Sequence, residues 1–275
     1  MFETAKPLER FFSIQQKYPM SANYPSLKGR VVIVTGGAQG LGRSFVSNLA
    51  EQGAKPIIVQ RNFELAKSLE EELNQLGHDT LAVSADIGNQ ESVQKMVKEV
   101  HQKFGRIDIL VNNAAMLKNL AIGPFWEIPM NEWYDAINVN ITGAFICARE
   151  VVPYMQKRNW GRIVNLSSTT ILSGKPNYLH YSASKAAMIG ITRAMARELG
   201  DWNITVNNLM PGTTKTESDR TSAHDEYFTN AVKQQSIHRL ATVQDHANAL
   251  MFLCSDEASF ITGQCMVSDG GRSFL

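Results

Sequence analysis

The sequence predicts an α/β fold: one doubly wound domain on a seven-stranded parallel sheet flanked by helices. Three observations predict it. From Leu27 onward, short strand-like runs alternate with helical patterns. Those runs are apolar at consecutive positions, as in strands buried on both faces. The first of them, "VVIVTGGAQGLGRSF" from Val31 to Phe45, passes directly into a glycine cluster that opens a helix. At 275 residues and 44% hydrophobic, the chain fits one large domain with a substantial core.

Residues 31–35 (VVIVT) form the first strand, followed by a helix from about Gly40 to Gln52. The second strand, 56–60 (PIIVQ), precedes a helix in which Leu65, Leu69, Leu73 and Leu76 recur at helical spacing, with Gly77 as its C-terminal stop. Residues 80–86 form the third strand, before a helix ending near Phe104, and 107–115 (IDILVNNAA) form the fourth. A long helix over about 131–157 leads to the fifth strand, 161–168. A helix from about Tyr178 to Leu199 leads to the sixth, 203–210, and 265–269 closes the sheet. Residues 1–26, with Pro7, Pro19 and Pro25, stand outside the pattern and read as an arm on the body or a partner subunit; 27–275 form the domain.

The formal charge of +1 gives no reason to expect nucleic acid as a partner. Cys147, Cys254 and Cys265 are widely spaced among apolar residues, which suits buried free thiols better than disulfides or a zinc site. No run reaches the roughly 18 apolar residues of a membrane helix. The opening residues, with Glu3 and Glu9, lack a signal pattern, so a cytoplasmic protein is expected.

Open α/β sheets bind ligands at the carboxyl ends of their strands, where the strand order reverses. "TGGAQGLG" places Gly36, Gly40 and Gly42 at such an end, where small residues let backbone approach a pyrophosphate at a helix N-terminus. Tyr181 and Lys185 of "YSASK" lie four apart and project from one helix face. Ser168 stands at a predicted strand end. Together they supply a phenol as acid/base, an ammonium to lower its pKa and a hydroxyl to hold a substrate oxygen. No metal site is expected: the six histidines show no paired ligand spacing, and His180 reads as a pocket-lining or surface residue.

The glycine loop, "NNAA" at 112–115, "NITG" at 140–143, Ser168, "YSASK" and "NNLMPGTTKT" at 207–216 occur in the order of the short-chain dehydrogenase/reductase family, which the chain resembles over roughly 27–271. The resemblance implies a Rossmann-type domain that transfers hydride between a nicotinamide cofactor and a carbonyl or secondary alcohol. It implies Tyr181 as general acid/base, Lys185 on the nicotinamide ribose, Ser168 on the reacting oxygen and Asn140 holding a relay water. For the cofactor it implies Gly36, Gln39, Gly40, Leu41, Gly42, Arg61, Asp86, Ile87, Asn113, Ala114, Ala115, Pro211, Gly212, Thr214 and Thr216, besides Tyr181 and Lys185. Ala115 stands where the family usually has glycine, and Asn112 braces the central strand.

At the end of the second strand, Gln60 and Arg61 replace the carboxylate that would hold an NAD ribose. NADP is therefore the expected cofactor, with Arg43 close by and NAD as the alternative. The segment 212–239 is the expected substrate lid, rich in hydroxyl and charged residues; Lys175, Asn177 and His180 add donors, and Trp126 and Tyr178 add apolar surface. A small polar ketone or alcohol, such as a sugar, polyol or oxo acid, is the expected substrate. The alternatives are a 3-oxoacyl-thioester reductase docking an acidic carrier at Lys157, Arg158 and Arg162, and a non-catalytic dinucleotide sensor. A homotetramer is expected, its helices at 131–157 and 178–199 pairing through Phe145, Ile146, Met188, Ile189 and Met195, with Phe274 and Leu275 in a second contact.

Overall fold

The structure is a computed structural model, described here for residues 22–117, 120–216 and 225–274. The expected arm therefore lies almost wholly outside the described residues, as do part of the lid and Leu275. The arm's last residues lead onto the body, where Tyr24 N–H donates to Gln52 Oε1 at 2.6 Å and Leu27 is fully buried.

The chain forms, in order, β1 (Val31–Thr35), α1 (Gly40–Glu51), β2 (Lys55–Gln60), α2 (Phe63–Gln75), β3 (Leu81–Ser84), α3 (Gln90–Phe104) and β4 (Ile109–Asn112). There follow α4 (Met130–Ile137), a π turn (Asn138–Thr142), α5 (Gly143–Gln156), β5 (Gly161–Leu166), α6 (Thr170–Ser173), α7 (Leu179–Leu199) and β6 (Ile204–Pro211). The last elements are α8 (Asp225–Lys233), α9 (Val243–Cys254) and β7 (Cys265–Ser268). The seven strands pair in parallel in the order β3-β2-β1-β4-β5-β6-β7. The order reverses between β1 and β4, whose register sets Val34 opposite Val111, so a crevice opens beyond Thr35 and Asn112.

Alternation along β1 explains the two-sided core. Val32 and Val34 pack with Phe45, Leu49, Leu69, Leu250 and Met251 of α1, α2 and α9. Val31 and Ile33 point the other way, toward Val97, Val100, Val151 and Leu199 of α3, α5 and α7. Local signals fix the ends. Asn89 caps α3 by accepting from Ser92 N–H at 2.9 Å, and Gly105, at φ 68°, ends it.

Several expectations need correction. The helix expected over 131–157 is broken by the π turn, and β4 is shorter than 107–115 because the chain after Asn112 leaves the sheet to pack on the glycine loop. Ile146 (8% exposed) and Met188 (1%) are spent on the protein's own core and cannot face a partner, whereas Phe145 (47%) remains exposed. Cys147 and Cys254 are buried thiols pushed up to about 12 by burial, but Cys265 on the edge strand is only half-buried. Among the described residues, no helix is long and apolar enough to cross a membrane.

Candidate active site

The glycine loop occupies the carboxyl end of β1, and its shape requires glycine. Gly36 has φ 64°, and a Cβ there would lie 2.9 Å from Ala114 Cα. A Cβ on Gly42 would lie 2.1 Å from Gly36 O and 2.6 Å from Asn113 Nδ2. The loop is braced from β4: Asn113 Nδ2 donates to Thr35 O (2.9 Å) and Gly36 O (3.1 Å), while Thr35 Oγ1 accepts from the N–H groups of Asn113 and Ala114. Asn113 thus spends its side chain on the loop and leaves only backbone toward the crevice. Asn112 braces the sheet as expected, donating to Asn165 Oδ1 at 2.9 Å. Thr35 escaped the sequence reading because nothing about a strand threonine signals a bracing role.

Gln39 precedes α1, so Gly40, Leu41 and Gly42 present that helix's N-terminus to the crevice. Around this cradle, Arg61 is exposed just past β2, and Gln60 Oε1 is buried without a partner. Arg43 does not join Arg61; its Nη2 is held by Glu72, at 2.6 Å from Oε2. Asp86 accepts from Gly88 N–H at 3.0 Å and is exposed, while Ile87 belongs to the core against Gly143. The small-residue loop, the helix start and the orphaned Gln60 oxygen fit a dinucleotide.

The expected acid/base set lies across the same crevice. Ser168 follows β5, its Oγ 2.7 Å from Thr170 Oγ1, and it acts on the Tyr181 phenol to lower its pKa. Lys185 Nζ donates to Leu166 O at 2.8 Å and lies 5.8 Å from the Tyr181 ring centroid. Burial drives both groups toward neutrality: it pushes the Tyr181 phenol up to about 12, opposed in part by Ser168, and brings Lys185 down to about 8.

Asn140 sits in the π turn, 2% exposed. Its Oδ1 accepts from Met116 N–H at 2.6 Å, and its Nδ2 donates to Ser184 Oγ at 2.9 Å; Ser184 Oγ donates in turn to Tyr181 O. That side chain joins the chain after β4 to α7. The contacts from Gly36 through Ala114, Met116, Asn140 and Ser184 to Tyr181 place the loop and the phenol on one continuous framework.

The segment after β6 forms the third wall. A Cβ on Gly212 would lie 2.6 Å from Asp269 Cβ, and Pro211 O accepts from Thr169 N–H. Thr214 Oγ1 meets His246 Nε2 at 2.6 Å, and His246 Nδ1 meets Ser268 Oγ at 2.9 Å. Burial brings His246 down to about 4, so it stays neutral. His246 was unreadable from sequence because its helix, α9, carries no motif. Thr216 lies at the edge of the described wall.

His180 lines neither pocket nor surface: it is fully buried, its Nδ1 accepting from Tyr181 N–H and its Nε2 3.7 Å from Glu132 Oε2. Arg162 is likewise 2% exposed, donating to the carbonyls of Ser255, Gly161 and Asn203. It lies with Lys157 and Arg158 at the amino end of β5, away from the crevice, so these three form no carrier-docking patch beside the active site.

A doubly wound sheet with a buried tyrosine and lysine one helical turn apart beside a glycine loop fits the class of nicotinamide-dependent oxidoreductases. Comparisons agree. The family model described as enoyl-(acyl carrier protein) reductase matches residues 36–273. The chain is 39% identical over 250 residues to the (2S)-[(R)-hydroxy(phenyl)methyl]succinyl-CoA dehydrogenase subunit BbsD of Thauera aromatica, covering 90% of this chain and 98% of that one. It is 35% identical over 247 residues to the 3-oxoacyl-[acyl-carrier-protein] reductase FabG of Aquifex aeolicus, covering 89% and 98%. Its fold matches a mutant short-chain dehydrogenase/reductase of Serratia marcescens with TM-score 0.82 at 30% identity, covering 90% of this chain and all of that one. The chain belongs to the short-chain dehydrogenase/reductase family, whose members are NAD(P)-dependent oxidoreductases acting on a carbonyl or the corresponding alcohol.

Proposed function

We propose that the protein interconverts a 3-oxoacyl thioester and its 3-hydroxy counterpart using NADP(H). The observation that carries the chemistry is the buried Tyr181 phenol, whose pKa Ser168 lowers against the effect of burial, with Lys185 one helical turn further along α7. Two relatives named for thioester substrates, one on coenzyme A and one on an acyl carrier, support the substrate class over the sugar or polyol favoured by the sequence. The aromatic rim formed by Tyr178 and Tyr227 supports it too. A free oxo acid is the second reading, favoured by the cation of Lys175 at that rim. An aligned acid/base pair argues against a mere dinucleotide sensor.

Gly36, Gly40, Leu41 and Gly42 would hold the pyrophosphate, Arg61 the 2′-phosphate, and Lys185 and Tyr181 the nicotinamide ribose. When bound, the nicotinamide supplies or accepts the hydride. Ser168 Oγ–H holds the carbonyl oxygen, and Tyr181 delivers the proton that balances the hydride, so that C=O becomes CH–OH. The Lys185 ammonium, with the positive charge an oxidised nicotinamide would add, would oppose the burial that raises the phenol and favour its ionised form in the alcohol-oxidising direction. Asn140 positions α7 by tying Ser184 to Met116.

Initial rates of NADPH and NADH oxidation with acetoacetyl-coenzyme A, sugars and free oxo acids test the assignment. The expected result is that kcat/KM with NADPH and the thioester exceeds every other combination by about tenfold or more, a difference of ~1.4 kcal/mol in the barrier. A sugar or polyol reaching the thioester's kcat/KM would overturn the substrate class.

A further inference from the structure

The rim beside Tyr181 holds a cation that no carboxylate neutralises among the described residues. Lys175 lies in the short connection between α6 and α7, where Gly174 (φ 59°) and Asn177 (φ 64°) both take left-handed backbone and fold the loop tightly. Its Nζ stands 4.5 Å from the Tyr178 ring centroid and 4.7 Å from that of Tyr227 on α8. Tyr178 packs edge-on against Tyr181, with centroids 6.5 Å apart. Tyr178 and Tyr227 also both act electrostatically on the Tyr181 phenol, so the cluster borders the reacting group.

An ammonium has three N–H donors. Two aromatic faces occupy two directions and attract the charge, but they carry no net charge of their own. Among the described residues, Lys175 has no carboxylate partner, so one donor and the whole positive charge remain for a ligand. The rings also displace water, which strengthens attraction to an anion. On the next residue of α8, the Phe228 ring faces a second cation, Lys215, at 5.7 Å.

We propose that Lys175 is a specificity-determining residue that binds a carboxylate carried on the acyl portion of the substrate. The inference rests on the thioester reading and adds to it an acyl chain ending in an anion.

The test compares 3-oxoadipyl-coenzyme A with 3-oxohexanoyl-coenzyme A, which share the thioester handle and differ by a terminal carboxylate against a methyl group. The wild-type enzyme is expected to favour the carboxylate-bearing substrate by about tenfold or more in kcat/KM, and Lys175→Gln to collapse that ratio to about twofold or less. Lys175→Arg, which keeps the charge, should restore most of the preference. Equal losses on both substrates would show a purely structural clamp between α8 and the loop and overturn the proposal, as would the absence of any wild-type preference. Titration of glutarate into the NADPH complex, read by calorimetry, separates the two readings. If neither thioester turns over, the thioester assignment fails. The role of Lys175 then stands only if the Gln variant binds glutarate about tenfold more weakly than wild type, and falls if the two bind alike.

Discussion

Lys185 shows how a single side chain links stability to chemistry. Its pKa is lowered from 10.5 to about 8 by burial. Between those values the unfolded chain binds the proton that the folded chain releases, so stability gains with rising pH. Replacing Lys185 with Met removes that linkage. The melting temperature of wild type relative to Lys185→Met should therefore rise from pH 8 toward pH 10, measured calorimetrically; a flat or falling difference would contradict a buried, depressed lysine. Arg61 carries the cofactor prediction. Arg61→Ala should weaken NADPH binding by about tenfold or more while changing NADH binding little, since a charge-assisted bond contributes ~1.5–3 kcal/mol. Equal losses would show that the end of β2 does not read the 2′-phosphate. The placement of Tyr181, Lys185 and Ser168 was legible because four-residue spacing on a helix and position at a strand end follow from sequence alone. His180, Arg162 and the side chain of Asn113 were not, because their partners lie on distant elements that only the fold brings together.

At the level of elements, the glycine loop depends on close approach between two chain segments. Gly42→Ala would set a Cβ 2.1 Å from Gly36 O. Overpacking of this kind costs ~1–3 kcal/mol, so NADPH affinity should fall by about tenfold or more with circular dichroism retained; unchanged affinity would show that the loop tolerates displacement. Near the wall formed after β6, α9 begins with a capping box in which Thr242 Oγ1 accepts from Asp245 N–H and Asp245 accepts from Thr242 N–H. Thr242→Ala should cost about 1 kcal/mol in urea unfolding. Strands β1 and β2 were legible because parallel strands buried on both faces read as nearly unbroken apolar runs, and β5 and β6 by their apolar cores between turn residues. The π turn was not, because Asn138–Thr142 keeps helical φ and ψ and differs only in which carbonyl each N–H reaches.

On the scale of the whole molecule, the seven-stranded parallel sheet followed from β/α alternation, whereas its strand order and the assembly are not written in one chain. Phe145 on α5 and Phe274 at the carboxyl end stay 47% and 84% exposed, which supports the expected homotetramer. Sedimentation at micromolar concentration should show a species near four times 30.6 kDa; a stable monomer would refute assembly, and a dimer would refute only the tetramer. All these features serve one claim, that a buried phenol moves the proton that accompanies the hydride. The most direct measurement is acetoacetyl-coenzyme A reduction by Tyr181→Phe, with NADPH affinity measured in parallel. Removing the acid should lower kcat by about 10²- to 10⁴-fold and leave cofactor binding within about twofold. Retention of more than about a tenth of wild-type turnover would contradict the account, since general acid catalysis at this site could not then be worth what the mechanism requires.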